Sequence, residues 1–311
     1  MKREESTVYK FESLTDFHRM FGLPMPKHPL ISFIDLNEMN YEPAELPAAL
    51  IMDFYKIAFK TNLCGRAKYG QSYYDFGEGG LVFTAPGQVF ESPDGAATSG
   101  KMLLVHPDLF LSYSLSKGIK QYGFFSYAAN EALHLSDQER ATIIAVFKII
   151  DEELTSRIDD LSQDVIVSQV ELLLNYSNRF YKRQFITRKA ANSDQLQKIE
   201  AILNEYFNED RALSSGIPTV QYLANRLNLS PGYMSDMLRA LTGQNAQQLI
   251  HYKLVEKAKD ILSTTDLTVA EIAYQLGFEH PQSFSRLFKS KTEQSPLKFR
   301  TSFDVAIRSR T

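Results

Sequence analysis

A single cysteine, Cys64, stands among 311 residues. No disulfide can therefore close within the chain, and no multi-cysteine zinc site can be built. The residue reads as a small buried apolar side chain, and its isolation fits a reducing cytoplasm. No run of about 18 apolar residues occurs, so no transmembrane helix is expected. The opening MKREESTVYKFES carries basic residues but no apolar segment, and a secretory signal is not expected either. Catalytic motifs are also missing: there is no G-x-S-x-G elbow, no phosphate loop and no paired-cysteine motif. His18, His28, His106 and His134 are scattered, with no H-x-H pair among them. No catalytic residue, metal or cofactor is expected, and the chain does not read as an enzyme.

What is present is a globular composition, with 44% hydrophobic and 23% charged residues. Its length suggests about two domains. The net charge of −3 hides an asymmetry. From Gly216 onward there are 12 Lys and Arg against 8 Asp and Glu, a net of +4, while the preceding residues sum to −7. A mildly basic C-terminal part follows an acidic one, weak evidence by itself for nucleic acid.

Short apolar runs recur over about residues 30–106: ISFIDL, LIMDFYKIAFK, YGQSYYDF, GLVFTAP and KMLLVHP. Turn formers at Gly77–Gly80, Pro86-Gly87 and Ser92–Gly95 separate them. This spacing predicts a small antiparallel barrel or sandwich. The period then changes to helical over about residues 136–182. Ser136–Glu139 has the capping-box pattern, followed by Ile143, Ile144, Phe147, Ile150 and Leu154 at helical spacing. A second helix from about Leu161 to Tyr181 is apolar on more than one face through VIVSQVELLL. Such a helix buries both faces within its domain or against a second copy of the chain. The polar, unperiodic segment Ile186–Gln195 is the candidate boundary, dividing residues 1–185 from a unit spanning about 196–303.

That C-terminal unit contains an internal repeat. TVQYLANRLNLSPGYMSDMLRALTG aligns with TVAEIAYQLGFEHPQSFSRLFKSKTE, with one extra residue in the second turn. Each copy reads helix, short turn, helix, over about 219–241 and 268–290. Thr219 and Thr268 sit where N-caps belong. Ala224 and Ala273 are small where two helices approach closely, and Asn228 and Gly277 fall at the turns. Met234, Met237 and Leu238, like Phe284, Leu287 and Phe288, are placed to hold the second helix on a core. A helical stretch from Asn245 to Ser263, with a stripe at Ile250, Leu254, Ala258, Ile261 and Leu262, joins the two copies. Its length of about 28 Å is comparable with one turn of DNA.

The run I-A-x-x-x-G-F at Ile272–Phe278, then F-S-R-x-F-K at Phe284–Lys289 and P-x-x-F-R at Pro296–Arg300, resembles the AraC/XylS family of transcription regulators. The resemblance covers about a third of the chain. It implies an α+β multidomain protein. Its N-terminal part would be a cupin-like antiparallel β-barrel with dimerisation helices, and its C-terminal part an all-α tandem helix-turn-helix domain. It also implies double-stranded promoter DNA and RNA polymerase as partners, a small-molecule effector, a homodimer and no membrane. The second helix of each pair would enter the major groove. Gln282, Ser283, Ser285, Arg286 and Lys289 then fall on DNA-facing positions of the second copy. Gly232, Tyr233, Ser235, Asp236 and Arg239 take those positions in the first. Ser, Gln and Arg can bond base edges, whereas Asp236 can accept only from cytosine or repel a phosphate. The second copy should therefore carry more of the DNA contact, with Arg286 foremost.

Tyr55, Tyr73 and Phe83 are the candidate ligand-pocket residues of the N-terminal part, although such aromatic residues more often simply fill a barrel core. Two readings of that part stay open: an effector-sensing domain, or a purely structural one on a DNA-binding regulator or architectural protein.

Overall fold

The computed structural model describes residues 8–41, 46–47, 49–61, 63–69, 72–76, 79–91, 99–128, 131–157, 159–187, 189–209 and 211–308. The side chains of 63–69, 72–76, 90–91, 189–191, 193 and 303–308 are excepted, so those of Cys64 and Tyr73 lie outside the described residues. The chain forms two compact units, divided between Thr187 and Arg188. No helix among the described residues is long and apolar enough to cross a membrane.

The first unit begins with β1 (Val8–Phe11), α1 (Leu14–Met20), β2 (Ile31–Asp35), β3 (Ala49–Met52) and β4 (Tyr55–Lys60). There follow β5 (Leu63–Tyr69), β6 (Ser72–Phe76), β7 (Gly80–Thr84), β8 (Val89–Glu91) and β9 (Gly100–Val105). The one-turn α2 (Leu115–Gly118), β10 (Leu133–His134), α3 (Asp137–Thr155) and α4 (Ser162–Thr187) complete it. A five-stranded antiparallel sheet runs in the order β10-β7-β4-β9-β2. A smaller sheet, β1-β3-β8, contains one parallel pair, and β5 and β6 form a separate hairpin.

The expected closed barrel is corrected: among the described residues the ladder ends in open edges at β10 and β2. At β10 the physical reason is visible. Gln184 on α4 accepts from the His134 backbone N–H at 2.8 Å and donates to the Ala132 carbonyl at 3.3 Å. Arg183 donates to the His134 carbonyl at 2.8 Å and pairs with Glu139 on α3 at 2.7 Å. Side chains thus take the backbone groups that a closing strand would need. At β2, α3 covers the sheet, with Phe33 and Phe147 ring centroids 5.7 Å apart.

Strand alternation sorts the sheet's two faces. One face, including Ala58 and Met102, shares a core with Phe11, Phe17, Phe21, Leu50, Met52 and Phe54. On the other, Tyr55 packs on Phe125 and Phe83 on Phe124, with Tyr181 of α4 stacked against Phe124. Helix α3 starts at the Ser136–Glu139 capping box. On α4, Ile166, Val167, Val170, Leu173 and Leu174 are buried, while Leu161 just ahead of it, Val165 and Leu172 remain exposed.

The second unit is all helical: α5 (Lys189–Asn208), α6 (Arg211–Ser215), α7 (Val220–Leu227), α8 (Pro231–Thr242), α9 (Ala246–Thr264), α10 (Val269–Gln275), α11 (Pro281–Thr292) and α12 (Pro296–Arg308). The segment read as an unperiodic boundary is largely the first turns of α5. It contains no Gly or Pro to break a helix, and polar residues are no obstacle to one on an exposed face. Helix α9 buries Ile250, Leu254, Ala258, Ile261 and Leu262, the stripe legible in the sequence. Both helical pairs pack on it, and α5 joins the first pair while α12 joins the second. Lys253–Glu200 at 3.2 Å and Lys257–Asn208 at 2.9 Å tie α9 to α5. Arg300 on α12 donates to the carbonyls of Leu262 and Leu267 at 3.1 and 2.7 Å, satisfying acceptors at the end of α9 and just before α10.

Candidate nucleic-acid interface

Each helical pair is punctuated by local chemistry. The Thr219 hydroxyl accepts from the Tyr222 N–H at 3.1 Å, opening α7. Asn228 ends it in the left-handed conformation, φ 55°, which a short polar side chain tolerates. Ser230 then accepts from the Tyr233 N–H at 3.2 Å, and Pro231 supplies a preset φ for the first turn of α8. In the second pair, Thr268 and Glu271 cap each other reciprocally at 3.2 and 2.7 Å. The Thr268 backbone N–H foremost, and its hydroxyl donating at 2.8 Å, hold the Glu271 carboxyl below its ordinary range. Gly277 makes the turn at φ 87°, and Pro281 begins α11.

The inner faces of α8 and α11 are closed. Tyr233, Met234, Met237 and Leu238 are buried on α8, and Phe284 and Phe288 on α11. Tyr233 is thereby corrected from a DNA-facing position to the core: it is 1% exposed. Its place three and four residues ahead of Asp236 and Met237 puts it between the two faces, and its large ring falls to the inner one. Leu287 is only partly buried, so two phenylalanines hold α11 where the repeat offered three apolar positions.

The outer faces differ. On α11, Gln282, Ser283, Arg286 and Lys289 are exposed and Ser285 half-buried. Among the described residues the Arg286 guanidinium has no ion-pair or hydrogen-bond partner. On α8, Gly232, Ser235 and Asp236 are half-buried and Arg239 exposed, and Arg239 donates to Asp236 at 2.7 Å. This exposed i,i+3 pair contributes little to stability, but it places a carboxylate beside the main cation of that face. The charge pattern of the repeat shows Asp236 and Arg239 on one face; only the rotamers show them joined.

The N-terminal candidates separate. Tyr55 packs into the aromatic core against Phe125, ring centroids 4.8 Å apart, and is not among the residues lining the cavity that Phe83 borders. The Tyr73 side chain lies outside the described residues. Phe83 borders a cavity of about 480 Å³, although its ring packs on Phe124 and Phe125. The same cavity contains two residues that the sequence reading missed, Lys56 and Lys60. Their signal was the K-x-A-x-K alternation of β4, which places Lys56, Ala58 and Lys60 on one face. Burial, with Lys60 adding repulsion, pulls the Lys56 ammonium down to about 7. Burial also lowers the pKa of Lys60.

Residues 223–302 match a helix-turn-helix domain family. An HTH-type transcriptional regulator of Staphylococcus aureus strain MSSA476 is 26% identical over 219 residues, covering 65% of this chain. The chain spans only 28% of that relative's length. The C-terminal domain of the two-component response regulator yesN from Fusobacterium nucleatum is 33% identical, covering 34% of this chain and 98% of that domain, with a TM-score of 0.31. The DNA-binding domain of AdpA, solved with a target DNA, is 27% identical, covering 32% of this chain and 94% of that domain, with a TM-score of 0.28.

Proposed function

On the premise that the chain carries a helix-turn-helix domain of the AraC type, we propose that it is a DNA-binding transcription regulator. Its helices α8 and α11 enter successive major-groove segments of promoter DNA. The observation that carries this reading is the pair of helices α8 and α11, each begun by a proline, closed on its inner face and polar on its outer one. Phosphates are met by Lys289 and Arg239, and base edges by Gln282, Ser283, Ser285 and Arg286, with Gly232 and Ser235 letting the backbone of α8 approach. Because Asp236 engages Arg239, α11 carries more of the affinity.

Sites selected from random duplexes and titrated by fluorescence anisotropy at fixed salt test this. Arg286→Ala weakens specific binding by ~1–3 kcal/mol, the worth of a bidentate contact to guanine. Asp236→Asn releases Arg239 and strengthens binding, including to unselected DNA. Unchanged affinity for Arg286→Ala, or a loss for Asp236→Asn larger than for Arg286→Ala, would overturn the ordering of the two helices.

We also propose that the first unit is an effector-sensing and dimerising domain. Support for the sensing role is the cavity beside β4, and support for dimerisation is the exposure of Leu161, Val165 and Leu172. The paired chain is the expected species in sedimentation at micromolar concentration, and a monomer there would remove the dimer from this reading.

A further inference from the structure

The residues that border the cavity beside β4 form an apolar wall and supply two cations. Phe17, Phe21, Leu36, Met39 and Met102 form the wall, while Lys56 and Lys60 project from alternate positions of one strand. A volume of about 480 Å³ is that of a small-molecule site, and a mainly apolar lining with few charged groups is the usual composition of one. Lysine on the inward face of a sheet is a costly choice for packing alone, since an ammonium group removed from water must be compensated. Lys60 is half-buried, and among the described residues its ammonium has neither an ion pair nor a hydrogen bond. The comparison within the same unit is informative. A second cavity, of about 350 Å³, is lined by Lys101, but that lysine is neutralised by Asp35 at 2.5 Å. Its buried His18 is likewise engaged, by the Pro24 carbonyl and by Ser32. Lys60 is thus placed to receive charge from outside the chain.

We propose that this cavity binds an amphipathic monocarboxylate, its anion held at Lys60 with Lys56 beside it and its apolar body laid against Phe17, Phe21 and Met102. This rests on the effector-sensing reading of the first unit and names the class of ligand. A single negative charge suits the site, because a multiply charged phosphate would lose far more hydration in entering an apolar cavity. A neutral apolar ligand would fill the same volume and leave the Lys60 ammonium uncompensated.

The full chain is titrated with octanoate and with phenylacetate, and with octanol and 2-phenylethanol as neutral counterparts, by calorimetry and by thermal unfolding. At least one acid binds and raises the unfolding midpoint, since a ligand of the native state stabilises by mass action. The matching alcohol binds more weakly. Lys60→Met keeps the apolar stem and weakens the acid by about 10–100-fold, the loss of a hydrogen bond to a charged group. Lys60→Arg, which restores a cation, retains binding and controls for misfolding. Absence of binding by both acids, equal binding of acid and alcohol, or full acid binding by Lys60→Met overturns the proposal. DNA affinity measured with and without each compound separates the two readings. Acid binding that leaves DNA affinity unchanged keeps the carboxylate site and removes effector control. Control by the alcohols, insensitive to Lys60→Met, does the reverse.

Discussion

Gly277→Ala is expected to destabilise the C-terminal unit by about 2–5 kcal/mol and to abolish specific DNA binding near its unfolding range. Two separate costs combine at this position. Gly277 has a φ of 87°, in the left-handed region where a Cβ meets the following carbonyl. A Cβ there would also lie 2.5 Å from the Gly216 carbonyl carbon, 2.8 Å from the Ile217 nitrogen and 2.9 Å from the Ala212 oxygen. All three are backbone atoms, so no side-chain rotation relieves the overlap. The segment they belong to is itself held, because Tyr206 donates to the Gly216 carbonyl at 2.9 Å. The turn of the second helical pair must therefore move away from the end of α6, and α11 moves with it. Gly243→Ala separates the two costs. Its φ is 75°, but nothing lies within 4 Å of the added atom. It should cost only about 1–2 kcal/mol, the backbone contribution alone. Calorimetric melting of both variants checks this, and equal losses would show that the close approach to Gly216 does not matter.

Phe284→Ala should cost about 3–5 kcal/mol, through lost burial and the cavity left behind. Its ring is fully buried, 5.5 Å from that of Phe278 and 5.8 Å from that of Phe288, which in turn meets Phe299 at 5.6 Å. These four rings hold α11 against the end of the unit, where Leu287 contributes only partly. The functional consequence is larger than for a residue on the outer face. Phe284 faces away from the proposed DNA surface, yet its loss releases every side chain presented by α11 at once. Hydrogen exchange over α10–α12 should accelerate, and affinity should fall for all sequences alike, whereas Arg286→Ala relaxes preference at the base it reads. Phe284→Leu keeps an apolar side chain and should lose less. Wild-type exchange rates in Phe284→Ala would show that the ring cluster is not what positions the helix.

Much of the C-terminal unit was legible because its determinants are short-range. Thr219 and Thr268 cap within three residues of themselves, and the stripe from Ile250 to Leu262 follows from 3.6 residues per turn. The exposed set on α11 follows from the same period once Phe284 and Phe288 are known to face inward. The side of a helix on which a boundary residue falls is less secure, which is how Tyr233 was misplaced.

The N-terminal unit was less legible for the opposite reason. Alternation identifies strands and faces, but the order β10-β7-β4-β9-β2 depends on pairings between distant segments. The open edge at β10 depends on Arg183 and Gln184, about fifty residues away in the chain. What the sequence by itself determined was that a nearly cysteine-free chain carries two capped, periodic helix-turn-helix repeats with unequal charged faces. Capping and periodicity are local and need no knowledge of the fold. Only the tertiary structure decided that Asp236 engages Arg239, that Gly277 abuts Gly216, and that Lys56 and Lys60 share an apolar cavity. Each of these rests on a rotamer or on an approach between segments, and both are set by packing.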